Sequence, residues 1–123
     1  MSVYVENEKE LGKALKNDED SIEISVDLER KVLKIKATRG AAWIVAVGAI
    51  TVAVVATLAA PATGGASSLV SVAAAPAAVS ILGASTTIAA INIAVAAGGT
   101  KALNKLREYK IVKNNGKTIL IKK

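Results

Sequence analysis

The sequence predicts an α-helical membrane hairpin: two transmembrane helices with a small cytoplasmic α/β domain that both termini form. Three observations lead to this fold class. No Asp, Glu, Lys or Arg occurs between Arg39 and Lys101, although the chain has 16 basic and 10 acidic residues. The uncharged part is long enough for two bilayer crossings. The charged ends carry the alternating apolar patterns of short strands.

These patterns divide the chain into five segments. In chain order they are an N-terminal cytoplasmic strand-helix-strand-helix at 1–38, transmembrane helix 1 at 39–60, an external turn at 61–68, transmembrane helix 2 with a kink at Pro76 at 69–99, and a C-terminal cytoplasmic helix and β-hairpin at 100–123.

The N-terminal segment begins with a predicted βαβ unit. Asn7 and Glu10 have the spacing of a capping box, which predicts a helix over Glu8–Lys16. This helix lies between the β-prone residues 2–6 and the alternating apolar run at 21–26. A strand, a helix and a strand in so short a stretch predict a parallel pair with a right-handed crossover.

An amphipathic helix over 28–37 is predicted to lead into the uncharged segment, with Asp27 as its N-cap. An extended strand is the alternative for the same apolar run. After a helix that follows Thr100, two alternating runs flank Asn115-Gly116, which is the signature of a β-hairpin. The strands of both ends can form one sheet if the middle brings them together.

The uncharged middle fits two crossings. Ala41–Ala60 has the length of a helix that spans about 30 Å, and the Pro-, Gly- and Ser-rich stretch at 61–68 predicts a turn. The second span is placed at about Ala77–Ala97, with Leu69–Ala75 as its kinked extension. Basic residues flank both spans and the loop has none, so the positive-inside rule places both termini in the cytoplasm.

Small residues in both spans predict homo-oligomerisation. In lipid, small side chains let helices approach closely, and the alanines of the first span recur at spacings of four and three, as in a heptad seam. Asn92 is expected to make an interhelical hydrogen bond, with an ion- or water-contacting role in a pore as the alternative. The predicted helix-packing residues are Ala42, Ala46, Ala49, Ala53, Ala56, Ala60, Ser85, Ala89, Asn92 and Ala96.

The predicted partner besides a second copy is the bilayer, through anionic lipid head groups. Residues 101–123 carry eight basic side chains and one acidic side chain. Nucleic acid is not expected, because Tyr109 is the single aromatic residue there that could stack on a base. The predicted interfacial anchors are Trp43, Arg39, Lys101, Lys105 and Arg107.

The composition argues against an enzyme. The chain has no Cys and no His, which removes thiol and imidazole chemistry and thiolate metal sites. No glycine-rich phosphate motif occurs, and the acidic cluster at 18–20 lacks the ligand spacing of a cation site. We therefore expect no catalytic residue, no cofactor, no bound metal and no small-molecule substrate.

Two functional hypotheses follow. The first is a pore- or channel-like membrane-permeabilising oligomer, since small residues on several helix faces require more neighbours than one hairpin provides. The second is a membrane-anchored scaffold whose α/β domain recruits a partner protein. A structural alternative is a buried apolar hairpin that inserts into a membrane only on a trigger. The apolar hairpins of pore-forming colicins have this general character, a similarity of composition that is confined to the middle of the chain and identifies no family.

Overall fold

The computed structural model describes residues 3–59 and 76–122, except for the side chains of residues 57–59 and 76. This part of the chain forms ten helices and strands, with the strands near the two ends and uncharged helices between them. In chain order they are β1 (Val3–Val5), α1 (Glu8–Lys16), β2 (Ser21–Ile24), α2 (Val26–Ala37), α3 (Gly40–Ala59), α4 (Pro76–Leu82), α5 (Ala84–Ala97), α6 (Lys101–Glu108), β3 (Lys110–Asn114) and β4 (Lys117–Ile121).

The four strands form one mixed sheet in the order β1-β2-β4-β3. Strands β1 and β2 are parallel, with Val5 opposite Ile24, as the βαβ pattern predicts. Strand β4 pairs antiparallel with both β2 and β3. The sheet therefore joins the two ends of the chain, which confirms the prediction that both termini build one α/β unit.

Helix α1 has the predicted bounds and the predicted cap. The Asn7 side chain accepts a hydrogen bond from the Glu10 amide at 2.9 Å. The Glu10 carboxylate reaches back to the amide of Glu6 at 2.8 Å, one residue before the position that a standard capping box uses.

Helix α2 is helical as predicted, and the extended alternative is wrong. It begins two residues early, because the Ser25 side chain accepts the Leu28 amide at 3.3 Å and takes the cap position that the sequence assigns to Asp27. Val26, which the alternating pattern places on the buried side of the second strand, instead starts the helix and is 76% exposed.

The C-terminal hairpin is confirmed. Asn115 and Gly116 both have positive φ, 53° and 79°, which matches a two-residue type I′ turn, whose twist fits that of the flanking strands. Asn tolerates this left-handed conformation better than other non-glycine residues. The Asn-Gly pair therefore fixes the register of β3 and β4.

Helix α5 is the centre of the fold. It is uncharged and mostly apolar, and α1, α2, α3, α4 and α6 pack around it. Helix α1 approaches it through Gly12, where an added Cβ would overlap the carbonyl oxygen of Ile93 and lie 2.7 Å from the Ala96 Cβ. The small residues of α5 thus bring helices of the same chain together.

The membrane-hairpin fold class is wrong. Among the described residues, no single helix combines the length and hydropathy of a membrane span; α5 and α6 reach them together, but the two are bent by 107°. The second predicted span is divided at Gly83, whose φ of 87° ends α4 and begins α5. Instead, the described helices pack with the sheet in a compact α/β fold. A helix that is apolar all round fits a protein core as well as lipid, and hydropathy alone does not separate the two.

The predicted localisation, an integral membrane protein with both termini cytoplasmic, depended on those spans and is wrong for the same reason, as is the description of the chain as transmembrane and pore-forming. The first predicted span is α3. One of its faces lies in the core of the described structure. Ala60, the turn at 61–68 and the extension Leu69–Ala75 lie outside the described residues.

Candidate functional site

Helix α3 has two apolar faces with opposite surroundings. One face is buried against α4, α5 and α6 through Trp43, Ala46, Ile50 and Ala53, which are 0–7% exposed. The other face contacts solvent although it carries no charged or polar side chain. An amphipathic pattern does not predict this second face, because the whole helix is apolar.

We call the solvent-facing residues the α3 stripe. Ala41, Val45, Gly48, Val52 and Val55 follow one another at spacings of four and three, and Ile44 adjoins them. All are exposed. The stripe is therefore continuous over about four helical turns.

The α3 stripe is apolar surface that the described part of the chain leaves unburied. Ile44, Val45, Val52 and Val55 are 69%, 50%, 62% and 59% exposed. Together these four side chains leave on the order of 400 Å² of apolar area, as large as the largest patch on a typical monomer, and such patches are often functional. Burying each of them fully would contribute about 1.5–3 kcal/mol, so a second surface that covers the stripe gains several kcal/mol.

The first half of α3 is held in place by α6. The Trp43 Nε1 donates to Asn104 Oδ1 at 3.1 Å, and the Arg107 guanidinium lies 4.3 Å from the centre of the Trp43 ring. Farther along, the hydroxyls of Thr51 and Thr100 are 3.1 Å apart. These contacts fix the rotation of α3 about its axis, and with it the direction in which the stripe faces.

Arg107 also joins α6 to the end of α2. Its Nη1 donates to the carbonyl oxygen of Ile35 at 2.6 Å and to that of Thr38. Burial lowers the pKa of Arg107 from its usual range, and the nearby charge of Arg39 adds to that effect. The group still titrates far above neutral pH. Arg107 therefore acts as a charged clamp between three helices.

Three basic residues of the C-terminal segment pair with N-terminal carboxylates. Lys122 and Lys105 lie 2.6 Å and 3.2 Å from the two carboxylate oxygens of Asp18. Lys113 lies 3.0 Å from Glu29, which also accepts a hydrogen bond from Thr118. These pairs join the ends of the chain and neutralise part of the basic charge that the sequence assigns to a lipid surface.

Those contacts lower the pKa of both carboxyl groups. For Asp18 the hydrogen bonds from Lys122 and Lys105 hold the pKa below its usual range. For Glu29 the hydrogen bonds from Thr118 and Lys113 do the same. Both carboxylates favour the folded chain in the ionised form, which makes the joined ends sensitive to acid.

The structure divides the predicted helix-packing residues between core and surface. Ala46, Ala53 and Ala89 are buried, whereas Ala42, Ala56 and Ser85 are exposed. Ala49, Asn92 and Ala96 are half-buried, and Ala60 lies outside the described residues. The buried members contact other helices of the same chain.

The predicted anchors are also spread over several environments. Trp43 is 7% exposed and lies under Arg107. Arg39 and Lys101 are exposed, and Lys105 is paired with Asp18. The structure thus brings together Trp43 and Arg107 but does not form a single belt from the five residues.

Sequence reasoning missed the α3 stripe because it followed the alanines. The stripe has the same rhythm of four and three, shifted by one position from the alanine seam: Val45 precedes Ala46, and Val52 precedes Ala53. The signal was therefore present, but the sequence does not show which of two adjacent faces is covered.

In the described part of the chain, no group of three or more Asp or Glu side chains is arranged to hold a metal ion. The acidic residues at 18 and 29 are engaged by lysines instead.

Comparison with known proteins gives a match to a family model. Residues 4–123 match a family model whose description is "Uncharacterised protein PM1101". No curated protein and no solved structure matches the chain.

Proposed function

We propose that this chain, which belongs to the family described as Uncharacterised protein PM1101, is a non-enzymatic assembly module that pairs with a second copy of itself through the α3 stripe. The observation that supports the proposal is a continuous, uncharged stripe of branched side chains, 50–69% exposed, on a helix whose orientation is fixed by Trp43 and Arg107.

A second copy fits the stripe because the stripe is complementary to itself. Gly48 lies midway between Ala41 and Val55 in the sequence. In an antiparallel pair with a twofold axis at Gly48, Ala41 meets the partner copy's Val55, and Ile44 meets the partner copy's Val52. Such a contact is isologous, the commonest arrangement of homodimers.

Gly48 suits the crossing point of the two helices. A Cβ built on Gly48 meets no atom within 4 Å, so the space in front of it is open to a partner. Without a side chain there, the two backbones can approach more closely than at any valine. The flanking branched side chains then pack on either side of the crossing.

The area of the stripe predicts a dimer of moderate affinity. A stable interface covers about 800 Å² on each partner, and the branched side chains of the stripe supply about half of that. After the entropic cost of association, we expect a dissociation constant on the order of 1–100 μM. The net charge of +6 opposes pairing, so salt should strengthen the dimer by screening repulsion.

Single cysteines test the geometry cleanly because the chain has none of its own. Under mild oxidation, Gly48→Cys should form a disulfide-linked dimer, since residues on the axis of a close helix pair lie within disulfide range. Leu33→Cys is the matched control, as Leu33 is 41% exposed on α2. Equal cross-linking of the two variants would show random collision and would contradict the proposal.

A second candidate function is recruitment of a partner protein by the outer face of the sheet. Tyr4 is 51% exposed and Ile121 is 39% exposed, and by the strand register Tyr4 shares its side of the sheet with the half-buried Ile119 and Val112. A photo-cross-linking amino acid at Tyr4 or at Val52 separates the two candidates in the native cell. A product of twice the chain mass from position 52 supports pairing, whereas a product of another mass from position 4 supports recruitment.

A further inference from the structure

A cavity of about 470 Å³ lies between α2 and the N-terminal end of α5. Arg30, Lys31 and Lys34 line it from α2, and Ser85 and Thr86 line it from α5. The cavity is distinct from the α3 stripe. Its volume is within the range of small-molecule pockets, about 300–1,000 Å³.

The α2 side of the cavity has an excess of positive charge. Lys31 is paired with Glu8 at 2.8 Å, which leaves Arg30 and Lys34 with no ion pair among the residues that the structure describes. These two are four residues apart and therefore share one face of the helix. Asp27, which also lines the cavity, balances only one of the charges.

The α5 side of the cavity offers hydrogen-bond donors. Helix α5 has 14 residues, and its N-cap residue Gly83 has no side chain to cap it, so its first amides lack intrahelical partners and its dipole favours an anion there. Thr86 is only 8% exposed, yet its hydroxyl makes no hydrogen bond to any residue in the described part of the chain. The Thr86 hydroxyl lines the cavity and is therefore free to donate to a ligand or a water molecule there.

We propose that this cavity binds the phosphate group of a phosphomonoester. Arg30 would bind two phosphate oxygens through its planar guanidinium, and Lys34 would supply a second positive charge. The Thr86 hydroxyl and the first amides of α5 would donate to the remaining oxygens. A bare phosphate is much smaller than the cavity, so the rest of the space accommodates the group that the phosphate is esterified to.

Titration with inorganic phosphate tests the site directly. In amide NMR spectra of the whole chain, the signals of Ser85 and Thr86 should shift in a saturable manner. Arg30→Gln/Lys34→Gln should weaken binding about tenfold or more, and Thr86→Val about threefold. No saturable shift at these amides would overturn the proposal.

A matched control separates the cavity from the overall charge. Lys9→Gln/Lys13→Gln removes the same two charges from the exposed side of α1 and should leave the phosphate affinity within about twofold. An equal loss in this control would show non-specific attraction and would overturn the site. Thermal unfolding of each variant verifies that it is folded.

Two sources could provide the phosphate, a soluble ester or a lipid head group, and a vesicle assay distinguishes them. Flotation with phosphatidylcholine vesicles that contain phosphatidic acid should succeed if the head group is the source, and Arg30→Gln/Lys34→Gln should abolish it. If inorganic phosphate binds but the vesicles do not, the source is a soluble phosphomonoester. Neither result depends on whether the chain dimerises. The proposal of phosphate binding in the cavity and the proposal of pairing through the α3 stripe can therefore be refuted independently.

Discussion

The Arg107 guanidinium lies 4.3 Å from the centre of the Trp43 ring and joins α6 to α3. Lys keeps the charge but lacks the planar guanidinium that stacks on Trp43 and donates to the carbonyl oxygens of Ile35 and Thr38. We expect Arg107→Lys to lower the free energy of unfolding by about 1–2 kcal/mol. Urea unfolding followed by Trp43 fluorescence measures the loss. Arg39→Lys, at an exposed position, should change it by less than about 0.5 kcal/mol, and equal losses would contradict the clamp.

Gly12 and Gly48 should respond in opposite ways to alanine. In an exposed helix interior, Ala stabilises by about 0.5–1 kcal/mol relative to Gly, and Gly48→Ala, which meets no atom within 4 Å, should show this gain when measured in dilute monomer. Gly12→Ala should destabilise by about 1–3 kcal/mol, because the new methyl group pushes α1 away from Ile93 and Ala96. A stabilised Gly12→Ala variant would show that α1 and α5 are not packed this closely.

Thr87 should be replaceable by valine with a gain in stability. Its hydroxyl is fully buried and has no hydrogen-bond partner within the described residues, so Thr87→Val removes a desolvated polar atom at nearly constant shape. We expect the free energy of unfolding to rise by about 1 kcal/mol. The same change at Thr118, which donates to Glu29, should lower it by about 1–2 kcal/mol. A loss in both variants would mean that Thr87 does have a partner.

Acid should weaken the joined ends of the chain. The pKa values of Asp18 and Glu29 are lowered in the folded state, so their contribution is complete above their unfolded values, about 3.9 and 4.3. It is lost as the pH falls through the folded values. The free energy of unfolding should therefore be flat near pH 6 and fall below about pH 4.

Removal of the two carboxylates should make the free energy of unfolding less dependent on pH in acid. Asp18→Asn/Glu29→Gln is expected to be less stable than the unmodified chain at pH 7 and to approach it as the pH falls. Asp20→Asn/Glu108→Gln changes the charge equally but involves no ion pair that the described structure contains. Chemical denaturation at a series of pH values compares the unmodified chain with the two double variants. If the free energy of unfolding fell equally with decreasing pH in all three chains, the role given to Asp18 and Glu29 would be contradicted.

The ends of the chain could be predicted from the sequence because their signals are local. The capping box at Asn7 gives the start of α1, and Asn115-Gly116 gives the turn between β3 and β4. Both patterns depend on backbone geometry over a few residues, and distant contacts do not alter them.

The surroundings of the uncharged middle segment could not be predicted, because an apolar helix is compatible with both lipid and a protein core. Helix α5 is uncharged and mostly apolar, which suits both lipid and a core formed by five neighbouring helices. The division at Gly83 is visible as a glycine, but many helices tolerate one. The close packing of Gly12 against α5 shows that the helix lies in a protein core. This contact joins residues far apart in the sequence, so no local pattern predicts it.

The α3 stripe could be predicted only in part from the sequence, for a similar reason. The rhythm of four and three in α3 predicts a helix made for neighbours, and the structure supplies a neighbour for the alanine face. The face that contains Val45 and Val52 remains exposed. Periodicity identifies faces, but the packing of the whole chain decides which face is left for a partner.

Sedimentation equilibrium tests the α3 stripe most directly. From about 1 to about 100 μM, the average mass of the unmodified chain should rise from 12.5 kDa towards twice that value, and salt should favour the rise. Val52→Glu should remain at 12.5 kDa at every concentration, because pairing would bury the new carboxylate without a partner. Leu33→Glu makes the same change in charge at an exposed site on α2 and should dimerise as the unmodified chain does. A chain that stays monomeric throughout, or a Val52→Glu variant that still dimerises, would contradict self-association through the stripe.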